Sequence, residues 1–164
     1  MAYGNTDKTG QGTYYHLLVD ADGRLIVTDK SEFEIKKDVL ANDSDKSFTV
    51  PAGEIWELLA ARIILASTAT VGNRQICIEI TDGTDVILRI LAGAVQAASL
   101  TRYYNFYQGA PNLTAFIDTT HLCNPLPSKL QLGAGYVIRI YDKTAVDAAA
   151  DDMSVYLTVS KFSQ

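Results

Sequence analysis

Arg74-Gln75-Ile76-Cys77-Ile78-Glu79-Ile80-Thr81-Asp82-Gly83-Thr84-Asp85-Val86-Ile87-Leu88-Arg89-Ile90 reads as two β-strands joined by a turn. Ile76, Ile78 and Ile80 share one face of the first strand, and Val86, Leu88 and Ile90 repeat that spacing on the second. Apolar residues at period two around an Asp-Gly turn signal a hairpin. A two-residue Asp82-Gly83 loop would set Ile78 opposite Ile87 and mix the two faces. Register follows the buried face, so an odd-length loop centred on Gly83 is expected. It sets Ile80 against Val86, Ile78 against Leu88 and Ile76 against Ile90, with Cys77 across from Arg89. Six aliphatic side chains then belong to the core. Cys77, Glu79, Ile87 and Arg89 are left on an outer face free for a partner.

The same logic continues along the chain. Tyr14 to Asp20 and Arg24 to Thr28 look like short strands around the turn Asp20-Ala21-Asp22-Gly23. Ser31 to Lys46 is charged, with room for a short strand at Phe33 to Lys37 before a loop. Phe48-Thr49-Val50 begins a strand ahead of the Pro51-Ala52-Gly53 turn. Ile55 to Ala66 has helix-forming Leu, Ala and Glu, yet Ile63-Ile64-Leu65 running into Ser67-Thr68-Ala69-Thr70 reads better as a buried strand. Its apolar residues fall on both parities, as in a strand covered by the core on one side and a partner on the other. Ala92 to Ser99 is a small-residue loop, and Leu113 to Ile117 is a further strand candidate. Pro125 and Pro127 rule out a central strand between them. Tyr136 to Tyr141 and Met153 to Lys161 complete the set, the latter with Val155, Leu157 and Val159 inward. Asp147 to Asp152 is an acidic, alanine-rich loop or a single helical turn. Eight to ten strands without a long helix predict an all-β fold, an antiparallel β-sandwich of jelly-roll or immunoglobulin type, with the jelly roll preferred.

The totals bound the function. A chain of 164 residues suits one domain, placed here at 14–164 behind a polar segment at 1–13. That segment, rich in Gly, Thr and Asn, is either a frayed terminus or an arm that orders against a neighbouring subunit. Fourteen Lys and Arg stand against 19 Asp and Glu, for a net charge of −5. Phosphate neutralisation supplies most nucleic-acid affinity, so this balance argues against DNA, RNA or an anionic membrane as partner. No apolar run reaches spanning length and no signal-peptide pattern opens the chain. Synthesis in a cytosol is expected. Two cysteines, Cys77 and Cys123, do not make a disulfide framework and read as small hydrophobes.

Chemistry-bearing patterns are few. Asp20-Ala21-Asp22-Gly23 echoes the start of a calcium loop, but its twelfth position is Ser31 rather than Glu. Asp118, His121 and Cys123 lie close in sequence, with only His16 to complete a zinc set, and read as structural. Asp151-Asp152 reads as a solvated pair. No catalytic residue, cofactor or metal is assigned. The aromatic run Tyr103-Tyr104-Asn105-Phe106-Tyr107 cannot turn every ring inward. It is a core strand with edge tyrosines, a subunit interface, or a sugar-stacking platform. With Tyr3 of the arm, Tyr103, Tyr104, Phe106 and Tyr107 are the candidate partner-binding residues.

Several phrases go further. Thr49-Val50-Pro51-Ala52-Gly53-Glu54-Ile55-Trp56-Glu57-Leu58-Leu59, Val71-Gly72-Asn73-Arg74, Ala92-Gly93-Ala94-Val95-Gln96-Ala97, Leu132-Gly133-Ala134-Gly135-Tyr136-Val137-Ile138-Arg139-Ile140 and Asp147-Ala148-Ala149-Ala150-Asp151-Asp152 resemble small structural proteins encoded beside capsid and tail genes in tailed bacteriophages. The resemblance covers Phe48 to Phe162. It implies a virion component, with a capsid decoration (cement) protein as the leading identity and a tail or head–tail protein as the alternative. Such a protein would form a homotrimer on the outer capsid surface and clamp the major capsid protein. Candidate contact elements are the arm Ala2 to Thr13, the loop Ala92 to Arg102 and the aromatic run. A carbohydrate-binding module using those aromatics is a separate alternative, with a glycan as its partner.

Overall fold

The computed structural model describes residues 31–41 and 43–163. The segment 1–13 with Tyr3, the strands expected at 14–20 and 24–28, the Asp20-Gly23 turn and His16 lie outside the described residues. Ten strands follow in order: β1 (Glu32–Asp38), β2 (Asp45–Thr49), β3 (Glu54–Ala66), β4 (Ile76–Thr81), β5 (Val86–Leu91), β6 (Thr101–Gln108), β7 (His121–Leu126), β8 (Gln131–Leu132), β9 (Val137–Asp142) and β10 (Asp152–Ser163). They form two sheets. One runs β1-β10-β3-β6-β7 with the short β8 also on β3, and the other runs β2-β9-β4-β5. The described residues form an all-β, two-sheet, mostly antiparallel sandwich. No helix of the described residues is long and apolar enough to cross a membrane.

The core lies between the sheets. Leu58, Ile63, Leu65, Tyr104, Phe106, Val155, Leu157 and Val159 of the six-stranded sheet meet Ile76, Ile78, Ile80, Ile138 and Ile140 of the four-stranded sheet, all without exposed surface. Burying each such side chain is worth about 1.5–3 kcal/mol.

β3 shows why apolar residues occupy both parities of Ile55 to Ala66. Thr158 and Val159 are consecutive on β10, yet they pair with Ala60 and Leu58 on β3. Leu59 is therefore an extra residue, a β-bulge that turns the inward parity over. Trp56 and Leu58 point inward before it, and Ala61, Ile63 and Leu65 after it. β3 also changes its other neighbour there, from β6 at Ala60 to β8 at Glu57.

Two expectations are corrected. The β4–β5 hairpin is a hairpin, but its register lies two residues from the expected one: Ile80 pairs with Leu88, Ile78 with Ile90 and Glu79 with Arg89, with a bulge beside Thr81. The Asp82 carboxylate closes the turn by accepting from the N–H groups of Thr84 and Asp85, and Gly83 takes φ 98°. Val86 is consequently exposed, and the outer face is split: Ile87 and Arg89 are exposed as expected, whereas Cys77 and Glu79 are not. Both are buried, Glu79 against the guanidinium of Arg89 and the hydroxyl of Tyr141. Second, residues 113–117 form no strand. Leu113 and Phe116 instead pack against the core from an irregular crossover. After that crossover β7 returns parallel to β6, the one parallel pair among the described strands. Pro125 is accommodated because β7 is an edge strand.

Loops at one end are tied by a buried polar network. The Arg74 Nε donates to Asp151 Oδ2 at 2.8 Å, and neither side chain is exposed. Arg74 also donates to the carbonyls of Thr70 and Gly72, while Asp147 accepts from the hydroxyls of Thr68 and Thr70. The expectation that Asp151 is solvated is thus corrected. Gln96 donates to the carbonyls of Leu65 and Leu100 and accepts from the Tyr104 hydroxyl at 3.1 Å. Burial pushes the Tyr104 hydroxyl well above its ordinary pKa.

Candidate functional site

Strand alternation splits the aromatic run. Tyr104 and Phe106 are fully buried in the core, so neither presents a ring to a partner, and their assignment as binding residues is corrected. Tyr103 and Tyr107 lie on the opposite, outer face of the six-stranded sheet. Register builds that face row by row. Ile35, Thr158, Ala60, Tyr107 and Pro125 lie side by side across β1, β10, β3, β6 and β7. The next row is Lys37, Tyr156, Arg62, Asn105 and Cys123, and a third holds Ser154, Ile64, Tyr103 and His121.

In the middle of this face, Ala60 is far shorter than its row neighbours. The result is a groove of about 310 Å³ lined by Ile35, Ala60, Arg62, Asn105, Tyr107 and Tyr156 among others. Arg62 is exposed, with its guanidinium 5.8 Å from the ring centre of Tyr103 and 5.9 Å from that of Tyr156. Tyr103 in turn stacks on His121, ring centres 4.8 Å apart. The Cys123 thiol hydrogen-bonded to the Tyr107 hydroxyl raises the pKa of that phenol.

At the margin of the sheet, β1 is inverted. Glu34 and Lys36 share a face with the core residues Val159 and Leu157, whereas Phe33 and Ile35 share the outer face with Ser160 and Thr158. Phe33 is 76% exposed and Ile35 63%. On the inward side, Lys36 pairs with Glu34 at 2.6 Å and lies over the Trp56 ring, and Lys161 gathers Glu32, Glu34 and Glu54. Inward charge on an edge strand discourages indiscriminate pairing.

Asp118 and His121 do meet, at 3.0 Å. The Asp118 carboxylate also accepts from the N–H groups of Thr120 and His121, which together hold its pKa down to about 2. That arrangement closes the turn into β7. His121 and Cys123 alternate on the outer face, but none of the three lines the groove. Among the described residues, no group of His, Cys, Asp and Glu is arranged to hold a metal.

Arg62, Tyr156 and Ile35 were missed by reading the sequence. Tyr156 was assigned outward by its parity, but nothing in the chain set it beside Arg62, 94 positions earlier on a neighbouring strand; only register does that. The loop Ala92 to Arg102, expected as a contact element, instead supplies Gln96 to the buried network. No protein-family model, curated protein or solved structure matches this chain.

Proposed function

We propose that this chain is a structural protein of a tailed-phage particle, a decoration protein that self-associates and grips the major capsid protein on the outer capsid surface. The observation that carries the reading is the inverted polarity of β1. A strand that turns charge toward the sandwich margin and Phe33 and Ile35 toward solvent fits a surface made to be covered. Covering each of those side chains gives about 1.5–3 kcal/mol, and several such contacts made at once reinforce one another. The net charge of −5 suits the outside of a shell rather than its DNA-facing interior.

The sandwich itself fits the reading as a jelly roll. β1 pairs with β10, β2 with β9, β3 with β6 and β4 with β5. Such nested pairing is what a long hairpin gives when rolled into two Greek keys, with β7 and β8 inserted after the sixth strand. Jelly rolls recur in capsid and lectin domains, although a fold alone fixes no function. The reading is one of contact chemistry, and the Asp118 carboxylate beside His121 serves turn closure.

The test is reconstitution. Purified protein is mixed with particles lacking it, pelleted, and imaged by cryo-EM. Density on the capsid surface that is lost with Phe33→Lys supports the reading. Density on the tail would transfer the protein to the tail or head–tail alternative, and no retention on any particle would overturn the virion reading.

A further inference from the structure

The groove beside Tyr107 has a chemical character of its own. The described residues pair most of their cations with carboxylates: Arg74 with Asp151, Arg89 with Glu79, Arg139 with Asp45, Lys36 with Glu34. Arg62 has no carboxylate within ion-pair distance among the described residues, in a chain with more acidic than basic side chains. Its guanidinium lies within cation–π range of two rings, 5.8 Å from the centre of Tyr103 and 5.9 Å from that of Tyr156. An exposed and uncompensated guanidinium presents a planar fork matched to a carboxylate. Around it stand the phenol ring of Tyr107, 40% exposed, the ring of Tyr156, the amide of Asn105 and the hydroxyl of Thr158, over a floor of Ala60.

We infer that this groove binds an acidic saccharide, a sugar ring carrying a carboxylate. The carboxylate sits on Arg62, the C–H face of the ring on Tyr107 or Tyr156, and ring hydroxyls on Asn105 and Thr158. A groove of about 310 Å³ lies at the small end of ligand sites. Two rival ligand classes fit less well. Phosphate groups are held by clustered backbone N–H groups at helix N-termini or glycine nests, and no glycine lines this groove. An extended peptide gains affinity by adding main-chain bonds at a sheet edge, whereas β3, β6 and β10 are already paired on the sides that flank the groove.

The experiment titrates the full chain with tri-galacturonic acid and with sialyllactose, observed by NMR chemical shifts and calorimetry. Neutral lactose, a tripeptide and ATP serve as comparisons. Saturable binding of at least one acidic sugar is expected, with shifts centred on Arg62, Asn105 and Tyr107. Arg62→Gln should weaken it about 10-fold or more, the usual cost of a lost charge-assisted contact, and Tyr107→Ala should weaken it comparably. Arg62→Lys should recover only part. An unchanged melting temperature in Arg62→Gln separates lost binding from lost folding. The inference is overturned if neither acidic sugar binds, if Arg62→Gln binds as well as wild type, or if the tripeptide or ATP binds more tightly. Ile35 borders the groove but Phe33 does not, so the particle reading is tested at Phe33 and the groove at Arg62, and failure of one leaves the other standing.

Discussion

Arg74 and Asp151 lie 77 positions apart and meet with no exposed surface on either side chain. Removing one partner leaves the other charge buried and unpaired, which costs about 3 kcal/mol or more. Asp151→Ala should therefore lower the urea midpoint sharply. The double variant Arg74→Met with Asp151→Leu should recover most of the loss, because it leaves no orphaned charge. Equal losses in the single and double variants would show that the hydrogen bonds of Arg74 to Thr70 and Gly72, rather than the ion pair, hold the loops. Gly93 is a steric case. A Cβ there would fall well inside contact distance of the Leu113 carbonyl oxygen, while its N–H is needed by Asn124. Gly93→Ala should cost about 1–3 kcal/mol by overpacking, read as a lower melting temperature. Asp118 sets a pH dependence. Backbone N–H groups of Thr120 and His121 draw its pKa from 3.8 to about 2 in the folded chain. A folded pKa below the unfolded one gives stability that is complete above about pH 4 and lost as pH falls toward 2. Asp118→Asn should flatten that part of the acid limb; a limb unchanged by the variant would assign the acid sensitivity elsewhere, Glu79 being the next candidate, since Arg89 holds its pKa down. None of these roles was legible in the sequence. Asp151-Asp152 reads as a solvated pair because burial depends on an arginine from another loop.

At the scale of elements, alternation was legible wherever a strand keeps one parity. β4 and β10 were read with their inward residues correct. Where a strand changes parity, the pattern misleads. The bulge at Leu59 makes Trp56, Leu58, Ala61, Ile63 and Leu65 look two-sided although all point to one core. Its position depends on β10, which arrives about 100 residues later in the chain, so no local window contains it. The β4–β5 register failed for a related reason. The odd-loop argument preserved the correct face but could not see that Asp82 closes a four-residue turn beside a bulge and that Arg89 is drawn to Glu79 rather than Cys77. The bulge makes a sharp expectation. Deleting Leu59 would put Trp56 and Leu58 out of phase with Ala61, Ile63 and Leu65, forcing one group off the core face. Leu59→Ala, which keeps the residue count, should fold with a modest loss of stability. The deletion should lose cooperative urea unfolding and near-ultraviolet dichroism. A deletion variant that unfolds as cooperatively as Leu59→Ala would mean that the strand can slide and that the bulge does not set its phase.

Across the whole molecule, two layers and their strand content followed from periodicity, while the face that meets a partner did not. Phe33 and Ile35 alternate with charge on β1, and the ordinary inference would turn them inward. They face outward because the inward side of β1 closes the sandwich margin with Glu34, Lys36 and Lys161 around Trp56. Sequence alone does not reveal which side of an amphipathic edge strand faces the core; the neighbouring strand decides it. On the proposed reading, that outward pair is where copies of the chain meet. Phe33→Lys combined with Ile35→Lys changes residues that the isolated domain leaves mostly exposed, so its melting temperature should stay close to that of wild type, as for surface substitutions of about 0.5 kcal/mol or less. Its self-association should nevertheless disappear. Sedimentation velocity at micromolar concentrations checks both chains together: the wild type is expected to sediment as an oligomer and the double variant as a monomer. A wild type that is monomeric throughout, or a variant oligomer as stable as the wild type, would remove β1 as the self-contact. The exposed Phe33 and Ile35 would then have to be covered by the capsid partner alone.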